Sequence, residues 1–511
     1  METPQINSRK EFLYLVVLVL FAIIVRAWFI WMFKWNSPNG DEAVAGLMAK
    51  HIAEGKDFPV FYYGQAYFGA LEAYLTALLF RLFGFRPNLI LLLPFAFGVT
   101  MVVIEFYLVR RLFGSLVALA SASLLALCSP FYLDGTLSAA GGFGLALLLQ
   151  TVAIWLYSVF YFDHEFRRRQ FLLFCGISGV LFWVWQIYIP IFAFLLLLWV
   201  IRRPPIEKAA VVAGIILFVI GSGPLWLINL EHGGATFKEL TGKYLASDTG
   251  SGMLVFAKQF VGNRWWNLSA YVREWLMSVG AGNLILLGII LFGLAMLWRT
   301  KMPKINLRRI ELSPAAFFLA TSAIVFIIGH KSHRYLYVLP ALLIPCAWIG
   351  LSRVHHRLAV GALAVAVLSN FLLLSNTKSV GPRPNYVALI EILKSREMRF
   401  GYSDYWNAYP ITFLSGEQIV VAPGLGPGIG GLNGGLDRYP KYTAMVDEAP
   451  RVFILLIEGE REAKESEMLA MTIAREVTLV DQTVPGFKLY FPLRPTQLRE
   501  LAKRSLKCTS S

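Results

Sequence analysis

Apolar runs of about 20 residues recur along this chain, separated by short clusters of Lys and Arg. A run of that length crosses a ~30 Å hydrocarbon core as a helix. The first covers residues 12–33, with Arg9 and Lys10 before it and Trp28, Trp31 and Trp35 toward its far end. Further runs fall near 88–109, 115–133, 142–161, 171–187, 188–201, 209–228, 282–298, 312–329, 335–351 and 358–375. The pattern predicts about eleven transmembrane helices. Arg26 lies near the end of the first span, where a long cationic side chain is expected to snorkel to the interface.

The stretch 66–84 decides the topology, because it is apolar yet holds Glu72 and Arg81. The later basic clusters are Arg110–Arg111 and those within 164–169, 201–208, 298–309 and 352–357. If 66–84 lies along the membrane surface, all of these fall on the N-terminal side. If it spans, all fall opposite. The positive-inside rule selects the first arrangement and a cytoplasmic N-terminus. Residues 40–55, "DEAVAGLMAKHIAEG", place Val44, Leu47, Met48 and Ile52 at helical spacing. They predict a short helix lying on the membrane surface and stopped by Gly55.

Residues 1–375 thus read as an all-α polytopic membrane domain with a first outer loop at 34–87 and a long outer loop at 229–281. After residue 376 the hydrophobicity drops. Strand-like 451–459, 476–484 and 487–493 alternate with helical "YVALIEILKS" and "EREAKESEMLAMTIAR". That reads as a small soluble α/β domain, 376–511. An odd number of spans puts it outside the cytoplasm. The Gly-rich run 423–435 lacks the strand–loop–helix setting of a phosphate cradle and reads as a loop.

Composition sharpens the class. The 511 residues are 57% hydrophobic and 15% charged, with mean hydropathy +0.59. So few polar groups cannot cover a soluble protein of this size. The net charge of +15 sits between apolar spans, so topogenic charge and contact with membrane lipids explain it; no nucleic-acid partner is indicated. Cys128, Cys175, Cys346 and Cys508 show neither metal spacing nor a disulfide framework.

Candidate chemistry gathers in the outer loops. Asp41 and Glu42 open the short helix, where a helix cap is the simplest role for Asp41. Gln65, Glu72, Asp134, Lys331, His333 and Arg334 recur at the same predicted depth. Carboxylates and cations at one membrane face suit transfer of a sugar from a polyprenyl phosphate. A carboxylate takes the acceptor's proton, and cations hold the departing phosphate.

The ordered set "GDEAVAGLMAKHIAEG", "RRLFG", "CSPFYLDGTLSAAGG" and "HKSHRYLYVLPALLIPC" resembles the GT-C glycosyltransferases, family 39-like. Those include the protein O-mannosyltransferases and the lipid A aminoarabinose transferases. The resemblance covers roughly residues 10–350. It implies a GT-C membrane fold, Asp41 as the catalytic carboxylate with Glu42 as its neighbour, and Asp134 as the second-loop acidic position. Tyr335 matches a position near the donor phosphate, beside Lys331 and Arg334. Where relatives carry His-Pro-Pro or Glu-Lys-Pro, this chain has "YYGQAYFG", so Gln65 or Glu72 stands in for that donor or metal contact. The implied donor is a polyprenyl-phosphate sugar and the acceptor a glycan, lipid or protein. No cofactor is certain; a divalent metal ion at Asp41 and Glu42 is the candidate. The implied place is a bacterial inner membrane. A transporter or flippase of lipid-linked sugars is the first rival, but it predicts mid-span charges and internal repeats. A non-catalytic scaffold is the second.

Overall fold

A computed structural model of the chain describes residues 8–163, 166–202, 207–239, 283–299, 312–328, 337–377, 385–424, 437–457, 480–481 and 487–493. Each predicted span falls on a helix. In order these are α1 (Ser8–Phe29), α4 (Leu92–Phe113), α5 (Ser115–Ala126) with α6 (Pro130–Thr136), α7 (Phe143–Phe162), α8 (Arg168–Val184), α9 (Ile189–Arg202), α10 (Lys208–Glu231), α11 (Leu284–Arg299), α12 (Pro314–Ile328), α13 (Leu339–Val354) and α14 (His356–Ser375). Among the described residues four helices are long and apolar enough to cross a membrane, and six if each bent pair counts as one span.

The two bends have local causes. The chain turns by 80° between α5 and α6, where Pro130 at the first helical position cannot extend α5, and Ser129 caps the new helix. The 61° bend in α10 falls two residues before Pro224. α8 and α10 approach closely: a Cβ on Gly221 would meet the Gly176 carbonyl at 2.7 Å and the Val180 nitrogen at 2.9 Å.

Two expectations change. Arg26 does not snorkel; it is 2% exposed. Its Nη2 donates to the Leu125 carbonyl at 2.8 Å and its Nη1 to the Ala126 carbonyl at 3.2 Å. Those carbonyls end α5 and have no next turn to bond, so the guanidinium fork takes that place. Asn370 of α14 does the same for Leu127, donating at 2.7 Å.

The first loop holds α2 (Gly40–Ala53) and α3 (Leu71–Phe83). At 13 residues, α3 is about 20 Å long, too short to span. α2 is not a surface helix with a wet face. Residues Glu42–Val44 and Gly46–Ile52 are buried, because the C-terminal region covers the side that α3 leaves open.

That region contains α15 (Tyr386–Ser395), α16 (Tyr405–Leu414), α17 (Pro440–Glu448) and strands β1 (Phe400–Ser403), β2 (Val420–Pro423), β3 (Val452–Ile457), β4 (Val480–Asp481) and β5 (Phe487–Leu493). The sheet order is β2-β1-β3-β5-β4. β1 pairs in parallel with β2 and β3, and β5 antiparallel with β3 and β4. Strand periodicity splits the side chains between two faces. Val452 and Ile454 join the main core with Tyr402, Val420 and Ala422. Phe453 and Leu455 pack on Leu389, Leu393 and Ile411 in a second core. β1 and β2 escaped the sequence reading because each has only four residues. The helical reading of "EREAKESEMLAMTIAR" lies outside the described residues.

Candidate active site

The site is built where α1 ends. Its last turn, Ile30–Lys34, is a π-turn, closed by the Trp35 N–H donating to the Ile30 carbonyl at 2.9 Å. The extra residue per turn re-aims Lys34 relative to an unbroken α-helix. Lys34 is 4% exposed. Its Nζ lies 3.0 Å from Glu42 Oε1 and 3.2 Å from Asp134 Oδ1. One ammonium therefore joins the first loop to α6.

The cap of α2 is Asn39, not Asp41. The Glu42 N–H donates to Asn39 Oδ1 at 3.0 Å, and the Asn39 N–H donates to Glu42 Oε2 at 2.9 Å. This capping box satisfies two orphan amides. It also engages Glu42 Oε2, while Lys34 engages Oε1. Asp41 is released from capping and turns to the C-terminal region. The Tyr405 hydroxyl, at the start of α16, donates to Asp41 Oδ1 at 2.6 Å, and the Tyr62 hydroxyl donates to the Asp41 carbonyl. Gly40 permits the approach, since a Cβ there would stand 2.8 Å from the Tyr405 ring. Burial and the negative Asp41 push both phenols up, so each stays a hydrogen-bond donor.

The "YYGQAYFG" stretch is a tight hairpin. The Tyr62 N–H donates to the Phe68 carbonyl at 2.8 Å, and the Gln65 N–H to the Tyr62 carbonyl at 3.1 Å. Gln65 is half-buried in its turn. Trp183, in the last turn of α8, and Trp185, just after it, hold the hairpin. Trp183 Nε1 donates to the Val60 carbonyl at 3.0 Å, and Phe68 stacks on Trp185 with centroids 4.7 Å apart.

Glu72 lies in the first turn of α3 and is 6% exposed. Burial pushes its carboxyl up to about 8, against the lowering effect of the Leu145 N–H. It borders a cavity of about 10 Å³ walled by Gly46, Gly69, Gly141 and Gly142, room for about one water. Asp134 sits on α6 rather than in a loop, with its side chain 52% exposed. Tyr337 packs on Gly135 beside it. Lys331, His333, Arg334 and Tyr335 lie outside the described residues.

A divalent ion at Asp41 and Glu42 would have to compete with contacts that Glu42 already makes. Both Glu42 oxygens already accept hydrogen bonds. Among the described residues no three His, Cys, Asp or Glu side chains gather for a metal.

Sequence reasoning missed three groups: Lys34, Tyr405 and Arg438. Lys34 is the lone cation ending the aromatic belt of the first span, and that was its only signal. Tyr405 and Arg438 carried none, since they reach Asp41 from the far end of the chain. Arg438 interacts with Tyr405, Asp41 and Tyr62, and its Nη1 donates to the Gly64 carbonyl at 3.3 Å.

No protein-family model and no curated protein sequence matches the chain. Solved structures do. ArnT from Cupriavidus metallidurans bound to undecaprenyl phosphate aligns with a TM-score of 0.61 and 14% identity, over 93% of this chain and 97% of that one. The Archaeoglobus fulgidus oligosaccharyltransferase in the apo form aligns with a TM-score of 0.57 and 13% identity, over 91% and 71%. The archaeal oligosaccharyltransferase AglB from Archaeoglobus fulgidus, in complex with an inhibitory peptide and a dolichol-phosphate, aligns with a TM-score of 0.53 and 15% identity, over 91% and 71%. At 13–15% identity these alignments show that the chain shares the fold of ArnT and of the archaeal oligosaccharyltransferase.

Proposed function

We propose that the chain is an integral membrane glycosyltransferase moving a sugar from a polyprenyl-phosphate donor to an acceptor outside the cytoplasm, with Asp41 as general base. The observation that carries this reading is the meeting of Glu42 and Asp134 on Lys34 at one end of the bundle, with Asp41 next to Glu42 and held by Tyr405, in a fold shared with proteins bound to undecaprenyl phosphate and dolichol-phosphate. The membrane would be a bacterial inner membrane, with the N-terminus cytoplasmic and the sheet-bearing C-terminal region outside.

In this reaction the acceptor O–H gives its proton to the Asp41 carboxylate while its oxygen bonds to the anomeric carbon. The bond from that carbon to the phosphate oxygen breaks, and its electron pair leaves on the phosphate. Attack opposite the leaving group inverts the centre. Phosphate is a good leaving group, so a cationic hold matters more than an acid. Lys331 and Arg334 are the proposed hold. Glu42 is a structural partner of Asp41: its two oxygens organise Lys34 and the helix start. Asp134 supports the acceptor side. No metal step is included.

The test is transfer from a panel of radiolabelled polyprenyl-phosphate sugars by membranes carrying wild type or Asp41→Asn. The Asn variant, inserted normally, should lose about 10²–10⁴-fold in rate. Equal transfer by both would remove Asp41 from the chemistry.

A further inference from the structure

We infer that the C-terminal region completes the active site, with Tyr405 and Arg438 as positioning residues for Asp41. This rests on the reading of Asp41 as the base.

The geometry is a relay across two parts of the chain. Tyr405 and Asp41 are 364 positions apart in sequence, yet the phenol O–H donates to Asp41 Oδ1 at 2.6 Å. The Arg438 guanidinium, whose Nη1 donates to the Gly64 carbonyl at 3.3 Å, is coupled electrostatically to the Tyr405 hydroxyl and to Asp41, so its positive charge supports the hydrogen bond. A base held by a second group, itself held by a third, is the usual way a catalytic carboxylate or imidazole is oriented. Side-chain rotation about two torsions is otherwise soft for Asp. A carboxylate that must meet one acceptor hydroxyl gains from having one oxygen fixed.

Tyr405 and Arg438 are each held by further contacts. Tyr405 is the first residue of α16, whose N-cap is Asp404: Asp404 Oδ1 accepts from the Trp406 N–H at 2.8 Å, and Asp404 Oδ2 from Asn407 Nδ2 at 2.6 Å. Tyr405 is 3% exposed and packs edge-on against Tyr409, with centroids 5.3 Å apart. Arg438 is fixed at its backbone, where its N–H donates to the Tyr409 hydroxyl at 2.7 Å. The same tyrosine, Tyr409, thus braces both members.

α2 and α16 are pressed together along their length. A Cβ on Gly46 would overlap the Phe413 ring. Farther along, Glu417 accepts from Lys50 and from the Tyr442 hydroxyl, and meets His51 Nε2 at 3.0 Å. The contact at Asp41 is one end of this interface. The ordinary role for Tyr405 is therefore docking, and the experiment must separate docking from positioning.

The experiment uses full-length protein and the polyprenyl-phosphate sugar that wild type turns over in the panel. Tyr405→Phe keeps the ring that fills the space beside Gly40 and removes only the hydroxyl. It should lower kcat by about tenfold or more with KM within about twofold. Arg438→Gln should lower kcat in the same way. In Asp41→Asn, adding Tyr405→Phe should cause no further loss, because a positioning residue acts only through the group it positions. A thermal-denaturation cycle of the same two substitutions needs no substrate and should show non-additive midpoints. Wild-type kcat in Tyr405→Phe overturns the proposal. So does a rise in KM alone, a full multiplicative loss in the double variant, or additive midpoints. An Asp41→Asn variant as active as wild type would instead overturn the base assignment beneath it.

Discussion

Lys34 Nζ reaches Asp134 Oδ1 at 3.2 Å, joining the end of the first membrane helix to a short helix a hundred residues later. The same ammonium lies 3.0 Å from Glu42, whose side chain is 2% exposed. Lys34→Met would leave that carboxylate buried with no cation, at a cost of about 3–5 kcal/mol for a broken buried pair. Adding Glu42→Gln should restore part of the loss. Thermal denaturation of the single and double variants in detergent checks both outcomes.

Arg26 caps the broken end of α5 through two separate nitrogens on two carbonyls. Arg26→Met should destabilise the fold by about 1–3 kcal/mol for each buried carbonyl left without a donor. Arg26→Lys should rescue little, because an ammonium lacks the planar fork. Yield of folded protein by size-exclusion chromatography and its thermal midpoint report the difference.

Glu417 titrates the interface between α2 and the C-terminal region. Burial raises its carboxyl, but hydrogen bonds from His51, Lys50 and Tyr442 outweigh that and hold it well below the usual range. A depressed carboxylate adds stability that is present above the unfolded value of 4.5 and lost as pH falls toward the folded one. Limited proteolysis between the two parts should therefore speed up as pH drops below about 4.5. Glu417→Gln should weaken docking at neutral pH by about 1–3 kcal/mol and flatten the pH response.

Glu72 behaves oppositely. Its carboxyl is pushed up to about 8, so the folded state holds a proton that the unfolded state has released above 4.5. Stability should fall as pH rises from about 4.5 to 8 and level off beyond. Glu72→Gln should remove that slope and raise the thermal midpoint at pH 8–9 by about a degree or more. A wild-type midpoint that climbs with pH across this window would contradict the assignment.

Much of this architecture is legible in the residue pattern. Each apolar run falls on a helix because a span must satisfy its backbone within itself, and hydrophobic length alone reports that. Asn39 and Glu42 stand three apart, the spacing of a capping box; Asp41 was the more obvious cap only because an acidic residue at a helix start draws the eye. Helix ends at Gly55 and Pro130 follow from backbone chemistry that travels with the residue itself.

What the pattern could not carry is which polar group meets which. Periodicity reports the faces of an element, not the partner across the gap. Arg26 reads locally as a snorkelling cation, and only the break of α5 a hundred positions away supplies carbonyls for it. α2 reads locally as a surface helix, and only docking of α16 buries its second face. Asp41 reads as a cap until Tyr405, 364 positions on, takes its carboxylate. Such pairings depend on which orphaned donors and acceptors the folded chain brings within about 3 Å. Desolvation then makes each pairing costly to leave unmade, so tertiary structure alone decided how the charges of this site are held.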